Sequence, residues 1–158
     1  MTQLITPAQP PSRAAARVAA PLPHDRQEAS GKSRSVAVVI PMPNDPPWDL
    51  FDQIPDDVAI IVSDDSNGNL MPPPRDNVYV YDYAAQEAYA GPHYAAMPHR
   101  SAASRNVGHY IAYHEGFDVI IALDYDCGTR EGWLESHLGA IDAVVDAPAV
   151  KPVVDQGW

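Results

Sequence analysis

Apolar positions along this chain come in short unbroken runs. Val36-Ala37-Val38-Val39-Ile40, Val58-Ala59-Ile60-Ile61-Val62 and Val119-Ile120-Ile121-Ala122-Leu123 are each rich in β-branched residues. Runs this short read as strands, and apolar side chains at successive positions imply burial on both faces, as in the middle of a parallel sheet. Val78-Tyr79-Val80-Tyr81 has the β-branched and aromatic content of a fourth, shorter strand. Two later stretches follow a helical period instead. Ser101 reads as an N-cap, and Ala103, Val107 and Ile111 then recur at spacing four, with Ala102 and Tyr110 beside them, until Gly116 closes a helix at about His114. From Glu131 to about Val145, Trp133, Leu134, Leu138, Ile141 and Val145 form one apolar face, weakened at Gly139 and closed by Pro148. A short helix is expected between Trp48 and Ile54, after Asp45 and Pro46-Pro47.

Proline and glycine supply the punctuation. Pro41-Met42-Pro43-Asn44 is expected to stop the first strand, because proline cannot donate to a ladder. Residues 84–99 carry Gly91-Pro92 and Pro98 and are expected to be irregular. The second strand is expected to end at a polar turn, Ser63-Asp64-Asp65-Ser66-Asn67-Gly68. The order strand, short helix, strand, strand, helix, strand, helix predicts an α/β fold with a mostly parallel sheet.

Composition refines this picture. A chain of 158 residues, 46% of them hydrophobic, suits one domain with a real core. Residues 1–34 are dominated by Ala, Pro, Ser and Gln and read as a disordered tail, which leaves 35–158 as the folded domain. The formal net charge is −11, but the tail is net +3 and the remainder net −14. So acidic a body repels phosphates, which argues against nucleic acid as a partner. An anionic ligand would need a divalent cation or local donors. Cys127 is the only cysteine, so no intrachain disulfide forms, in keeping with a reducing, cytoplasmic location. No apolar run reaches the length of a membrane span, and the N-terminus lacks a signal-peptide pattern.

The chemistry lies in the acids that end two of the strands, Asp64-Asp65 and Asp124-Tyr125-Asp126. In open α/β sheets ligands sit at the carboxyl ends of strands. Residues at i and i+2 share a face of a regular strand, so Asp124 and Asp126 are expected to converge on one cation. The same residue types also suit ordinary turns. Gly108 is expected to let its helix pack closely on the sheet. The histidines His93, His99, His109, His114 and His137 show no metal-ligand spacing, and Cys127 reads as structural.

Taken in order, these motifs resemble the nucleotide-binding half of GT-A-fold glycosyltransferases, close to the family-2-like group. The carriers are a hydrophobic strand ending at Pro41, the Asp64-Asp65-Ser66 turn, the Ala102 to Gly108 segment matching Ala-x-x-Arg-Asn-x-Gly, and the Asp124-x-Asp126 strand end. The segment Ile121 to Cys127 also looks like the reversibly glycosylated polypeptides, or UDP-arabinopyranose mutases, of the same fold. The resemblance covers roughly residues 35–145. It implies a Rossmann-like GT-A nucleotide-diphospho-sugar transferase fold and a metal-dependent glycosyltransferase, or its donor-binding half, moving a sugar to an unknown acceptor. A UDP-sugar mutase or a non-catalytic nucleotide-sugar-binding domain are the alternatives. By the family pattern Asp126 would ligate Mn²⁺ or Mg²⁺. Asp124 would contact the ribose, or the metal through water. Asp65 and Asp64 would lie near the base and ribose. Pro41, Asn106 and Arg105 would belong to the nucleotide-sugar-binding residues, with Arg105 pairing a phosphate or orienting the aspartates. A UDP-sugar is favoured as donor and a GDP-sugar is the second choice. The family places acceptor strands and a catalytic base after the Asp-x-Asp. Only one helix is expected there, so the sheet reads as truncated and a protein partner as a possible source of the rest. Asp124 to Thr129 also resembles the nucleophile loop of haloacid dehalogenase-type phosphatases, with one residue too many before Gly128-Thr129 and only Lys151 as a later lysine.

Overall fold

The computed structural model describes residues 34–45 and 48–145. The tail expected over 1–34 lies outside these except for Arg34, as do Pro148 and Lys151. Four strands form one all-parallel sheet in the order β3-β2-β1-β4, with β1 at Val36–Met42, β2 at Ala59–Asp64, β3 at Val78–Tyr81 and β4 at Val119–Ala122. The helices are α1 (Asp49–Asp52), α2 (Tyr83–Ala90), α3 (Arg105–His114) and α4 (Trp133–Val145). They cover both faces of the sheet. Val38, Ile40, Met42, Ile60 and Val62 bury one face against Leu50, Phe51 and Ile54 of the α1 region and Trp133 and Leu134 of α4. Ala37, Val39, Ala59 and Ile61 bury the other against Val107, Ile111 and Ala112 of α3. An unbroken apolar run is what a strand between two helical layers requires, and β1 and β2 meet that description.

β4 does not. Val119 and Ile121 are buried, but Ile120 is half-buried and Ala122 exposed, and the strand pairs only with β1. Continuous hydrophobicity placed it mid-sheet; among the described residues it is an edge strand with one buried face. Composition cannot tell a central strand from an edge whose outer face is also apolar.

Pro41 ends one ladder and not the other. β1 continues through Pro41 and Met42, paired with Ser63 and Asp64 of β2. Successive residues of a parallel strand point their N–H and C=O to alternate neighbours. Met42 O accepts from Asp65 N, so Met42 faces β2, while Val39 O accepts from Leu123 N, so Val39 and Pro41 face β4. The missing N–H of Pro41 therefore falls on the β4 side, where pairing stops at Val39 opposite Ala122. The proline frees the chain after β4 to turn away and leaves the β1–β2 ladder whole.

Residues 84–99 are also more regular than expected. The Asp82 side chain accepts from Ala85 N at 2.9 Å and caps α2. Gly91, at φ 53, ends that helix and a 3-10 segment, Gly91–Ala96, follows. The Gly91-Pro92 pair thus separates two helical pieces and does not abolish both. Ser101 caps a 3-10 turn, Ala102–Ser104, that leads into α3. Gly116, at φ 74, closes α3 with Gly116 N donating to Tyr113 O and Phe117 N to Ala112 O, the paired bonds of a Schellman motif. Gly108 faces the sheet, where a Cβ would lie 2.4 Å from Val39 Cγ1 and 2.9 Å from Ser63 Oγ. Only glycine lets α3 approach this closely.

Candidate functional site

β1, β2 and β3 step outward in one direction and the chain then returns through α2 and α3 to place β4 on the other side of β1. Strand order therefore reverses between β1 and β4, and a crevice opens at the carboxyl ends of strands at such a point. A cleft of about 830 Å³ lies there. Its walls come from the segment after β1 (Pro41, Pro43, Asn44, Asp45), the turn after β2 (Asp65, Ser66, Asn69), the entry to α3 (Arg100, Ser101, Ser104, Arg105) and the turn after β4 (Asp124, Tyr125, Asp126).

Of the residues singled out in the sequence, Pro41, Asp65, Arg105, Asp124 and Asp126 meet in this cleft. Asp64 and Asn106 are not among its walls. Asp64 is buried inside its own turn, with Oδ1 accepting from Ser66 N at 2.7 Å and Ser66 Oγ at 2.6 Å, and Oδ2 from Gly68 N at 2.9 Å. It shapes the turn that presents Asp65. Asn106 is exposed on α3. Its side chain points about 100° away from that of Arg105 around α3, outside the cleft lining.

Asp124 and Asp126 converge, but not through strand alternation. β4 ends at Ala122, and the acids lie in a turn closed by Cys127 N donating to Asp124 O at 3.0 Å. The turn brings one ligand atom each of Asp124, Asp126 and Cys127 within 4.8 Å of one another. Cys127 is exposed and joins this donor set, a placement that spacing alone did not suggest. Arg105 Nη2 donates to Asp124 Oδ1 at 2.7 Å, which fixes that carboxylate and leaves it a second oxygen. The pair is about half exposed, so its worth lies in orientation more than in stability. One turn along α3, His109 has its pKa lowered by burial and, secondarily, by the Arg105 guanidinium.

Asp65 is tied through its backbone and one carboxylate oxygen. Its backbone N donates to Met42 O at 2.8 Å, and its carbonyl accepts from Tyr83 Oη at 2.8 Å. Oδ2 accepts from Arg100 N at 2.9 Å. Oδ1 is buried without a hydrogen-bond partner, 3.7 Å from His99 Nδ1. Arg100, Ser101, Asn44 and Asp45 were missed in the sequence as cleft residues. The signal for Arg100 was its position just before the Ala102–Gly108 motif, as one of few cations in an acidic body. Asp45 had no comparable signal: its Oδ1 accepts from Met71 N at 2.9 Å, a contact across 26 positions.

The cleft is lined by four aspartates (Asp45, Asp65, Asp124, Asp126) and two arginines (Arg100, Arg105). It suits a cation, or an anion that arrives with one. Protein-family models, curated proteins and solved structures gave no match to this chain. Among the described residues no helix is long and apolar enough to cross a membrane.

Proposed function

We propose that the cleft binds a nucleoside diphosphate sugar through a divalent cation, and that the chain is all or the donor-binding part of a cytoplasmic glycosyltransferase of the GT-A type. One observation carries the reading: the Asp124–Asp126 donor pair, with Arg105 fixed on Asp124, sits where strand order reverses beside β1. Carboxylate oxygens suit Mg²⁺ and Mn²⁺. Asp126, which is exposed, and the open oxygen of Asp124 would hold the ion. Bound there, the cation would offset the diphosphate charge and stabilise the departing nucleotide. Arg105 keeps Asp124 aimed. Asp65, at the far wall, would set the depth to which the nucleoside enters. A UDP-sugar is the favoured donor, a GDP-sugar the second choice, and the acceptor is drawn from outside these residues.

Calorimetric titration of UDP and of GDP, with and without Mn²⁺, tests this. The expected result is binding that requires Mn²⁺ and is lost in Asp126→Asn. Absence of binding by either nucleotide in Mn²⁺ would sink the donor-site reading, and binding unchanged in Asp126→Asn would sink the metal assignment.

A further inference from the structure

Arg100 stands on a strained backbone at the edge of the cleft. Its φ is 51, in the left-handed region, where a residue with a Cβ is rarely found. Such outliers persist only where their surroundings hold them, and they cluster at binding sites. The hold is visible. Arg100 N donates to the buried Asp65 Oδ2 at 2.9 Å. The preceding residue, His99, stacks its ring on Tyr83 at 3.6 Å between centroids and shares a hydrogen bond of 2.9 Å between Nε2 and Tyr94 Oη. Tyr83 in turn is fastened to the Asp65 carbonyl. The strap between Pro98 and Ser101 is thus clamped to the end of β2, and the clamp delivers Arg100 to the cleft wall.

The two cations of the cleft differ in their commitments. Arg105 is paired with Asp124. Among the described residues no carboxylate forms an ion pair with the Arg100 guanidinium. With four aspartates among its lining residues, the cleft admits a free anion poorly. A metal-chelated diphosphate is different, because the cation cancels part of the acidic field while phosphoryl oxygens that do not touch the metal still need donors. A guanidinium fork matches those oxygens.

We propose that Arg100 is the residue that takes the phosphoryl oxygens of a metal-bound diphosphate, and that Asp65 presets it by holding its left-handed backbone. This rests on the metal–diphosphate reading above and assigns Asp65 a positioning role within it. The test uses the full chain, Mn²⁺ and inorganic pyrophosphate, with affinities from calorimetry. Arg100→Gly is the informative variant, since glycine adopts this φ without penalty and the fold should melt no lower than the wild type. It should bind Mn²⁺ alone unchanged and Mn²⁺-pyrophosphate about tenfold more weakly, the loss of one charge-assisted contact at a partly exposed site. Arg100→Lys, which keeps the charge without the fork, should fall between. Asp65→Ala should weaken pyrophosphate binding in the wild-type background and add nothing to the loss in Arg100→Gly. If Arg100→Gly binds Mn²⁺-pyrophosphate as the wild type does, the assignment of Arg100 is overturned while the cleft reading stands. Additive losses would overturn the positioning role of Asp65. A wild type that fails to bind Mn²⁺-pyrophosphate overturns both.

Discussion

Replacing Gly108 by alanine tests how the structure sets α3 on the sheet. In an exposed helix interior this change stabilises by about 1 kcal/mol, because alanine loses less backbone freedom. Here the added methyl would lie 2.4 Å from Val39 Cγ1 and 2.9 Å from Ser63 Oγ. Carbon atoms settle at about 3.5–4.0 Å, so the overlap with Val39 exceeds about 1 Å. Val39 cannot yield: it is fully buried on β1, paired to both β2 and β4, and a β-branched side chain has little χ1 freedom. α3 must therefore move outward, carrying Val107 and Ile111 from their contacts. Overpacking of this kind costs about 1–3 kcal/mol, and rigid walls place it at the upper end. Set against the propensity gain, the net expectation is a loss of about 2 kcal/mol, or about 10 °C in melting temperature for a body of this size. Urea titration followed by far-ultraviolet circular dichroism measures it. Val39→Ala alone should cost about 2 kcal/mol through its cavity, and combined with Gly108→Ala should cost less than the sum by about 1 kcal/mol or more, since the new methyl fills the space. Gly139 of α4, with open space where its Cβ would be, is the control, and Gly139→Ala should stabilise by about 1 kcal/mol. A Gly108→Ala protein as stable as the wild type would refute the close contact on which the helix placement rests.

Two further expectations concern groups outside the cleft. Arg75 donates through Nη1 to Phe51 O and through Nη2 to Ile54 O at 2.8 Å and Asp56 Oδ1 at 2.7 Å, so it ties β3's approach to the end of α1. Arg75→Ala should cost about 1–3 kcal/mol in urea unfolding by orphaning part-buried carbonyls, and Arg75→Lys, lacking the fork, should recover less than half; full rescue by lysine would show that charge alone matters. Asp118 accepts from Ser35 N and Oγ, which join the starts of β1 and β4, and these bonds lower its pKa below the ordinary 3.8. A depressed folded pKa gives stabilisation that is complete above 3.8 and lost as pH falls through the folded value. The stability gap between wild type and Asp118→Asn should therefore narrow from pH 6 to pH 3, and an equal or wider gap at pH 3 would refute the role given to the Ser35 bonds.

The residues themselves determined a good deal. β-branched runs fixed four strands, the periods of Val107 and Ile111 and of Trp133, Leu134 and Leu138 fixed two helices, and acids after two of the strands marked the end of the sheet where a site would form. These properties are local, because period and propensity act over a few residues. Which strand is central is not local. β4 reads like β1, yet it lies at the edge, because pairing partners are chosen by the whole topology. The convergence of Asp124 and Asp126 was expected from strand alternation and came from a turn, made possible because Pro41 withholds a donor on that side. Asp64 and Asp65 are adjacent and chemically identical, but the pleat sends one into its own turn and the other to the cleft wall. Arg100 shows the same division most plainly. Its charge was in the sequence, but the contacts that hold its left-handed backbone come from Asp65, 35 positions away, and from the packing of His99 on Tyr83.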